Sequence, residues 1–147
     1  MSADIQFDHT GFITPSVERS IDFWTNVMGF EARPVVERRG PWVASFTGVA
    51  GGAIRIVHMF GLGTHIEFIE FLAPTRAPED LPVNQPATGH VCLRVPDLDA
   101  MVKRVLAVGG SLAGQITTIT EGAAAGVRGL YLRDPNGVLI ELLEKQA

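Results

Sequence analysis

The sequence predicts one α+β domain, residues 1–147, built from two tandem β-α-β-β-β modules. Three observations carry that expectation. The chain has 147 residues, 46% of them hydrophobic and 19% charged, which suits one core of ordinary size. It also repeats itself. His9 to Gly29 aligns without a gap on His90 to Gly110 at an offset of 81 residues, matching His with His, Pro15 with Pro96 and Val27 with Val108. Further on, Gly63-Thr-His-Ile-Glu67 aligns on Gly137-Val-Leu-Ile-Glu141 at an offset of 74, and self-similarity on this scale marks a repeated supersecondary unit. The third observation is that both copies show the same succession of local patterns.

In module one, about residues 5–73, Phe7 to Thr14 reads as a strand that stops where Pro15 removes a ladder donor. Ser16 then stands as a helix N-cap, with Glu18 in the first turn where the helix dipole favours an acid. Val17, Ile21, Trp24 and Met28 recur at near-helical spacing, and Gly29 ends the helix. Extended segments follow at about Glu31–Glu37, Ala53–Phe60 and Thr64–Leu72. The stretch Gly40 to Gly52 is open between a short helix and part of a strand, and Trp42 within it between core and cavity lid. Residues 74–88, with Pro74, Pro78, Pro82 and Pro86, read as a linker.

Module two, about residues 89–144, repeats the scheme. Gly89–Val95 is its first strand, Asp97 its N-cap, and Leu98, Val102, Val105 and Leu106 its apolar helix face, closed by Gly109-Gly110. Strands are expected at about Ser111–Thr118, Gly126–Arg133 and Val138–Leu143, with Asp134-Pro-Asn-Gly137 as a turn before the last.

Composition narrows the function. A net charge of -4, with no basic run longer than Arg38-Arg39, offers no face for nucleic acid or anionic lipid. The apolar stretches near Ala53–Phe60 and Ile66–Ala73 are interrupted by Arg55, His58, Glu67 and Glu70, so no membrane span is expected. Met1 to His9 shows no basic segment leading into an apolar one, so a cytoplasmic location is expected. The single cysteine, Cys92, makes neither an intrachain disulfide nor a thiolate cluster; it reads as a small buried apolar residue.

A tandem repeat with a His in each first strand and a Glu in each last strand resembles the vicinal oxygen chelate superfamily, which includes glyoxalase I, methylmalonyl-CoA epimerase, fosfomycin-resistance proteins and extradiol dioxygenases. The resemblance rests on Phe-Asp-His9-Thr-Gly-Phe, Arg-Ser-Ile-Asp-Phe-Trp24, His-Ile-Glu67-Phe, Gly-His90-Val-Cys-Leu-Arg-Val and Asp-Pro-Asn-Gly-Val-Leu-Ile-Glu141-Leu, and runs from about Ile5 to Glu144. It implies modules that form a cupped, barrel-like mixed sheet around one metal cavity, and a divalent ion held by His9, Glu67, His90 and Glu141. Two imidazoles and two carboxylates suit Zn, Ni, Co, Mn or Fe with positions left for substrate. Strand alternation puts Glu67 on one face with His65 and sends Glu70 to the other; likewise Glu144 points away from Glu141. Glu70 and Glu144 are thereby left as solvent-facing or rim charges.

The resemblance further implies a metal-dependent lyase or isomerase of glyoxalase or epimerase type, in which Glu67 or Glu141 takes a proton α to a metal-bound carbonyl of a small molecule. Arg94, on the His90 face, would suit an anionic substrate group, and His65 shares the face of Glu67. An Fe(II) extradiol-type dioxygenase built on His9, His90 and Glu141 leaves Glu67 surplus, as does a fosfomycin-type transferase. A non-catalytic small-molecule-binding or resistance protein needs no ligand set at all. A homodimer is expected on the resemblance.

Overall fold

The computed structural model describes residues 4–144. The chain divides into two compact units, Met1–Ala77 and Pro78–Ala147. Each contains one five-stranded mixed sheet, and the α+β class and the duplicated module are those the sequence predicts. No helix among the described residues is long and apolar enough to cross a membrane.

Unit one runs β1 (Thr10–Ile13), α1 (Val17–Asn26), β2 (Glu31–Ala32), β3 (Val36–Arg38), α2 (Pro41–Thr47), β4 (Ala53–Gly61) and β5 (Thr64–Ala73). Its sheet has the order β1-β5-β4-β2, with β3 also on β4; β1 lies parallel to β5 and the other pairs are antiparallel. Unit two runs β6 (Val91–Val95), α3 (Leu98–Ala107), β7 (Ser111–Leu112), β8 (Thr117–Thr118), β9 (Arg128–Arg133) and β10 (Leu139–Glu144). Its order, β6-β10-β9-β7 with β8 on β9, is the same topology again.

The strand expected over Glu31–Glu37 is two short strands, because Pro34 between them has no N–H to give β4. Ser111–Thr118 is broken in the same way, where Ala113 and Gly114 both donate to the Tyr131 carbonyl. The open stretch Gly40–Gly52 contains the helix α2, which has Pro41 in its first turn and buries Val43 while Trp42 and Phe46 stay exposed.

Both long helices start on the caps the sequence marks: the Ser16 hydroxyl accepts from the Arg19 N–H, and the Asp97 carboxylate from the Ala100 N–H. Gly29 and Gly109, just beyond their ends, take φ of 76° and 93°, a left-handed backbone that costs a side chain more than it costs glycine. In α1, Val17 and Trp24 are buried as expected, as is Met28 just beyond its end, while Ser20 and Phe23 complete the buried face and Ile21 is half-buried. In α3, Leu98, Val102 and Val105 are buried but Leu106 is exposed. The largest side chain of the unit-one core is Trp24, fully buried, with ring centroids 5.2 Å from Phe30 and 5.6 Å from Phe68.

Glu70 and Glu144 correct the sequence reading. They point away from Glu67 and Glu141 as alternation requires, but they are not free rim charges. Glu70 Oε2 accepts the N–H of Val17, the first residue of α1, at 3.0 Å; Glu144 Oε1 accepts the N–H of Leu98, the first residue of α3, at 3.2 Å. An arginine from the penultimate long strand completes each junction. Arg55 pairs with Glu18 and lies 3.6 Å from Glu70; Arg128 lies 2.9 Å from both Glu144 and Asp99. Each carboxylate thus satisfies a helix N–H that has no partner within the helix and favours the positive end of the helix dipole.

This junction makes a pH-dependent prediction. The Arg55 guanidinium beside Glu18 holds that carboxyl below its ordinary value of 4.5. A carboxyl with a lowered folded-state pKa stabilises the fold above about pH 4.5, and that stability is lost as pH falls through the folded value. Replacing Arg55 with Met should cost roughly 0.2–1 kcal/mol at pH 7, the scale of a pair that solvent screens. Urea unfolding over a pH series should show the gap between the two proteins closing on the acid side; a gap constant from pH 7 to pH 3 would contradict this account.

Candidate active site

In unit one, β5 lies between β1 and β4, so Glu67 has Gly11 as its register partner on one side and His58 on the other. His9 immediately precedes β1. Glu67 divides its two oxygens. His9 Nε2 lies 3.4 Å from Oε1, and His58 Nε2 lies 3.4 Å from Oε2. A Cβ at Gly11 would sit 3.5 Å from Glu67 Oε1, in ordinary van der Waals contact. On its far side, His58 Nδ1 is 2.9 Å from Nε2 of His65. A carboxylate only accepts, so a neutral His58 that donates to Glu67 must accept from the His65 N–H. His65 also stacks on Phe60 at 4.2 Å, and an open pocket lined by Phe7, Asp8, Phe60, Gly63, Thr64 and His65 borders the cluster.

Asp8 accepts from His9 Nδ1, an arrangement that fixes the tautomer and turns Nε2 toward Glu67. The same hydrogen bond raises the His9 pKa and lowers that of Asp8.

In unit two, β10 lies between β6 and β9, and Glu141 has Cys92 and Tyr131 as its register partners. His90 immediately precedes β6, and its Nε2 is 3.0 Å from Glu141 Oε2. The Tyr131 hydroxyl donates to the same oxygen at 3.5 Å. Burial, reinforced by the negative charge of Glu141, pushes the Tyr131 pKa up, so the phenol keeps the proton it donates. Cys92 is exposed, where the sequence reading had it buried. Partial desolvation first, and Glu141 second, raise its pKa, so it is a neutral thiol rather than a poised nucleophile. Arg94 is exposed two residues further along β6, on the same face as Cys92.

Each His–Glu pair fits a shared divalent ion. Two donors each about 2.1 Å from one ion, at a right angle, lie about 3.0 Å apart; the observed separations are 3.4 Å and 3.0 Å. Among the described residues, Asp8, His9 and His65 also bring one ligand atom each within 4.8 Å of one another, as do Asp97, Asp99 and Glu144. In the second group the carboxylates already serve the α3 N–H groups and Arg128.

Sequence alone points to His9, Glu67, His90, Glu141, His65 and Arg94, and misses Asp8 and Tyr131. At the 74-residue offset that relates Glu67 to Glu141, His58 falls on Leu132, one residue past Tyr131, so the repeat did not signal Tyr131.

The profile of the Glyoxalase/Bleomycin resistance protein/Dioxygenase superfamily matches residues 6–142. The chain belongs to this superfamily. Within it, a 2-epi-5-epi-valiolone epimerase from Actinomyces sp is 31% identical over 145 residues, 95% of this chain and 79% of that protein. The mitochondrial methylmalonyl-CoA epimerase of Dictyostelium discoideum is 29% identical, covering 95% of this chain and 78% of its own length. A crystal structure of a glyoxalase family protein from Bacillus cereus superposes with a TM-score of 0.82 and 25% identity, covering 100% of this chain and 99% of the other. Relatives named as epimerases support an enzyme of isomerase type within the superfamily.

Proposed function

We propose that this superfamily member is a divalent-metal-dependent enzyme of epimerase type, within the broader lyase and isomerase chemistry of glyoxalase-like proteins, acting on a small molecule with an acidic hydrogen α to a carbonyl. The observation that carries the reading is the recurrence, in each unit separately, of a first-strand His against a last-strand Glu at 3.4 Å and 3.0 Å. In this reading His9, Glu67, His90 and Glu141 hold one ion of Zn, Ni, Co, Mn or Fe. When bound, such an ion acts as a Lewis acid that stabilises the charge developing on the substrate oxygen as the α-proton leaves.

The chain supplies the rest. Glu67 or Glu141 accepts the α-proton and returns it, Asp8 keeps His9 in its ligating tautomer, and Arg94 and His65 contact the substrate. The protein works as a soluble cytoplasmic homodimer, without nucleic acid or membrane partners.

The two compounds in the relatives' names are the first substrates to test. Elemental analysis should find one transition metal per chain, and incubation in deuterated water should place solvent deuterium at the α-carbon, with chelation abolishing the exchange. A chain that binds no transition metal, or one that instead consumes oxygen with a catechol, would overturn the reading.

A further inference from the structure

Each His–Glu pair has a third member that neither the repeat alignment nor the ligand reading includes. His58 on β4 and Tyr131 on β9 are the cross-strand register partners of Glu67 and Glu141. Their polar tips come within 3.4 Å and 3.5 Å of the respective carboxylates. Their rings stand edge-on to the first-strand histidines: His58 to His9 at 5.7 Å and 81°, Tyr131 to His90 at 5.1 Å and 86°. The same three-part geometry therefore forms twice, with an imidazole at one copy and a phenol at the other. A shared backbone scaffold explains why a ring sits at this position; it does not by itself explain why both rings carry a hydrogen-bonding tip aimed at the carboxylate.

We propose that His58 and Tyr131 are positioning residues, each bracing its neighbouring glutamate and the ring plane of its histidine so that both ligands face a metal. The proposal rests on the four-ligand reading above. Hydrogen bonds from behind a ligating side chain hold its orientation and tune its affinity, and losing one costs about 10–100-fold in metal binding. The two copies differ in how they brace. Glu67 gives one oxygen to His9 and the other to His58, whereas Glu141 Oε2 faces both His90 and Tyr131. His58 is in turn backed by His65 at 2.9 Å, which gives His65 a place in this support as well as beside the pocket.

Cobalt(II) titration of the full chain, followed by visible absorption and chelator competition, tests this with Tyr131→Phe, His58→Phe and His58→Gln. Both Phe variants should bind cobalt about 10–100-fold more weakly, with an altered absorption envelope and with metal-free thermal unfolding unchanged. His58→Gln, whose amide N–H reaches the same oxygen, should recover part of the affinity. Wild-type affinity in both Phe variants would overturn the proposal while leaving the four-ligand reading intact. A wild-type chain that binds no cobalt would overturn both, so the two failures are told apart by the wild-type titration alone.

Discussion

Glu141→Gln should slow exchange of the substrate's α-hydrogen with deuterated solvent by about 10²–10⁴-fold, the range a positioned general base contributes. The amide keeps the shape of the side chain and still offers an oxygen to the Tyr131 hydroxyl, so the fold should stand. What it loses is the charge and the basicity. Metal content must be measured alongside, because a lost ligand charge also lowers affinity; an enzyme that keeps its ion and loses exchange assigns the base to Glu141. Glu67→Gln is the companion. It keeps an acceptor for His58 but removes the other carboxylate, and comparing the two variants identifies which glutamate moves the proton. Exchange unaffected by either substitution would remove both from the chemistry.

The largest effect on stability should come from Trp24→Ala. Trp24 is fully buried on α1, packed edge-on against Phe30 and tilted on Phe68. Truncating such a side chain costs about 3–5 kcal/mol, the sum of lost transfer free energy and the cavity left behind. Urea unfolding should show it as a large fall in midpoint. Trp42→Ala is the control, since Trp42 is 52% exposed on α2 and a surface change of this kind stays within about 0.5 kcal/mol. Equal losses for the two tryptophans would mean that the core is centred elsewhere.

Much of this was legible in the sequence because it lies in local pattern. The caps Ser16 and Asp97 and the terminating glycines announce themselves within a few residues, and the repeat aligns His9 with His90 and Glu67 with Glu141. Strand alternation separated Glu67 from Glu70 correctly. What it did not give was the partner of the rejected carboxylate: the Val17 N–H lies 53 residues from Glu70, and that pairing exists only once α1 packs on β5. Tyr131 escaped for a related reason. Its role depends on the register of β9 against β10, and that register is set by a turn of different length from the one joining β4 to β5. The split of the Glu31–Glu37 strand, by contrast, was readable from Pro34.

The junctions at Glu70 and Glu144 have a practical consequence. On β5 and β10, residues three apart do unrelated work on opposite sides: one carboxylate fastens a helix, the other faces the His. Donor atoms on the open side can therefore be exchanged for others, by natural drift or by an engineer, without loosening the scaffold behind them.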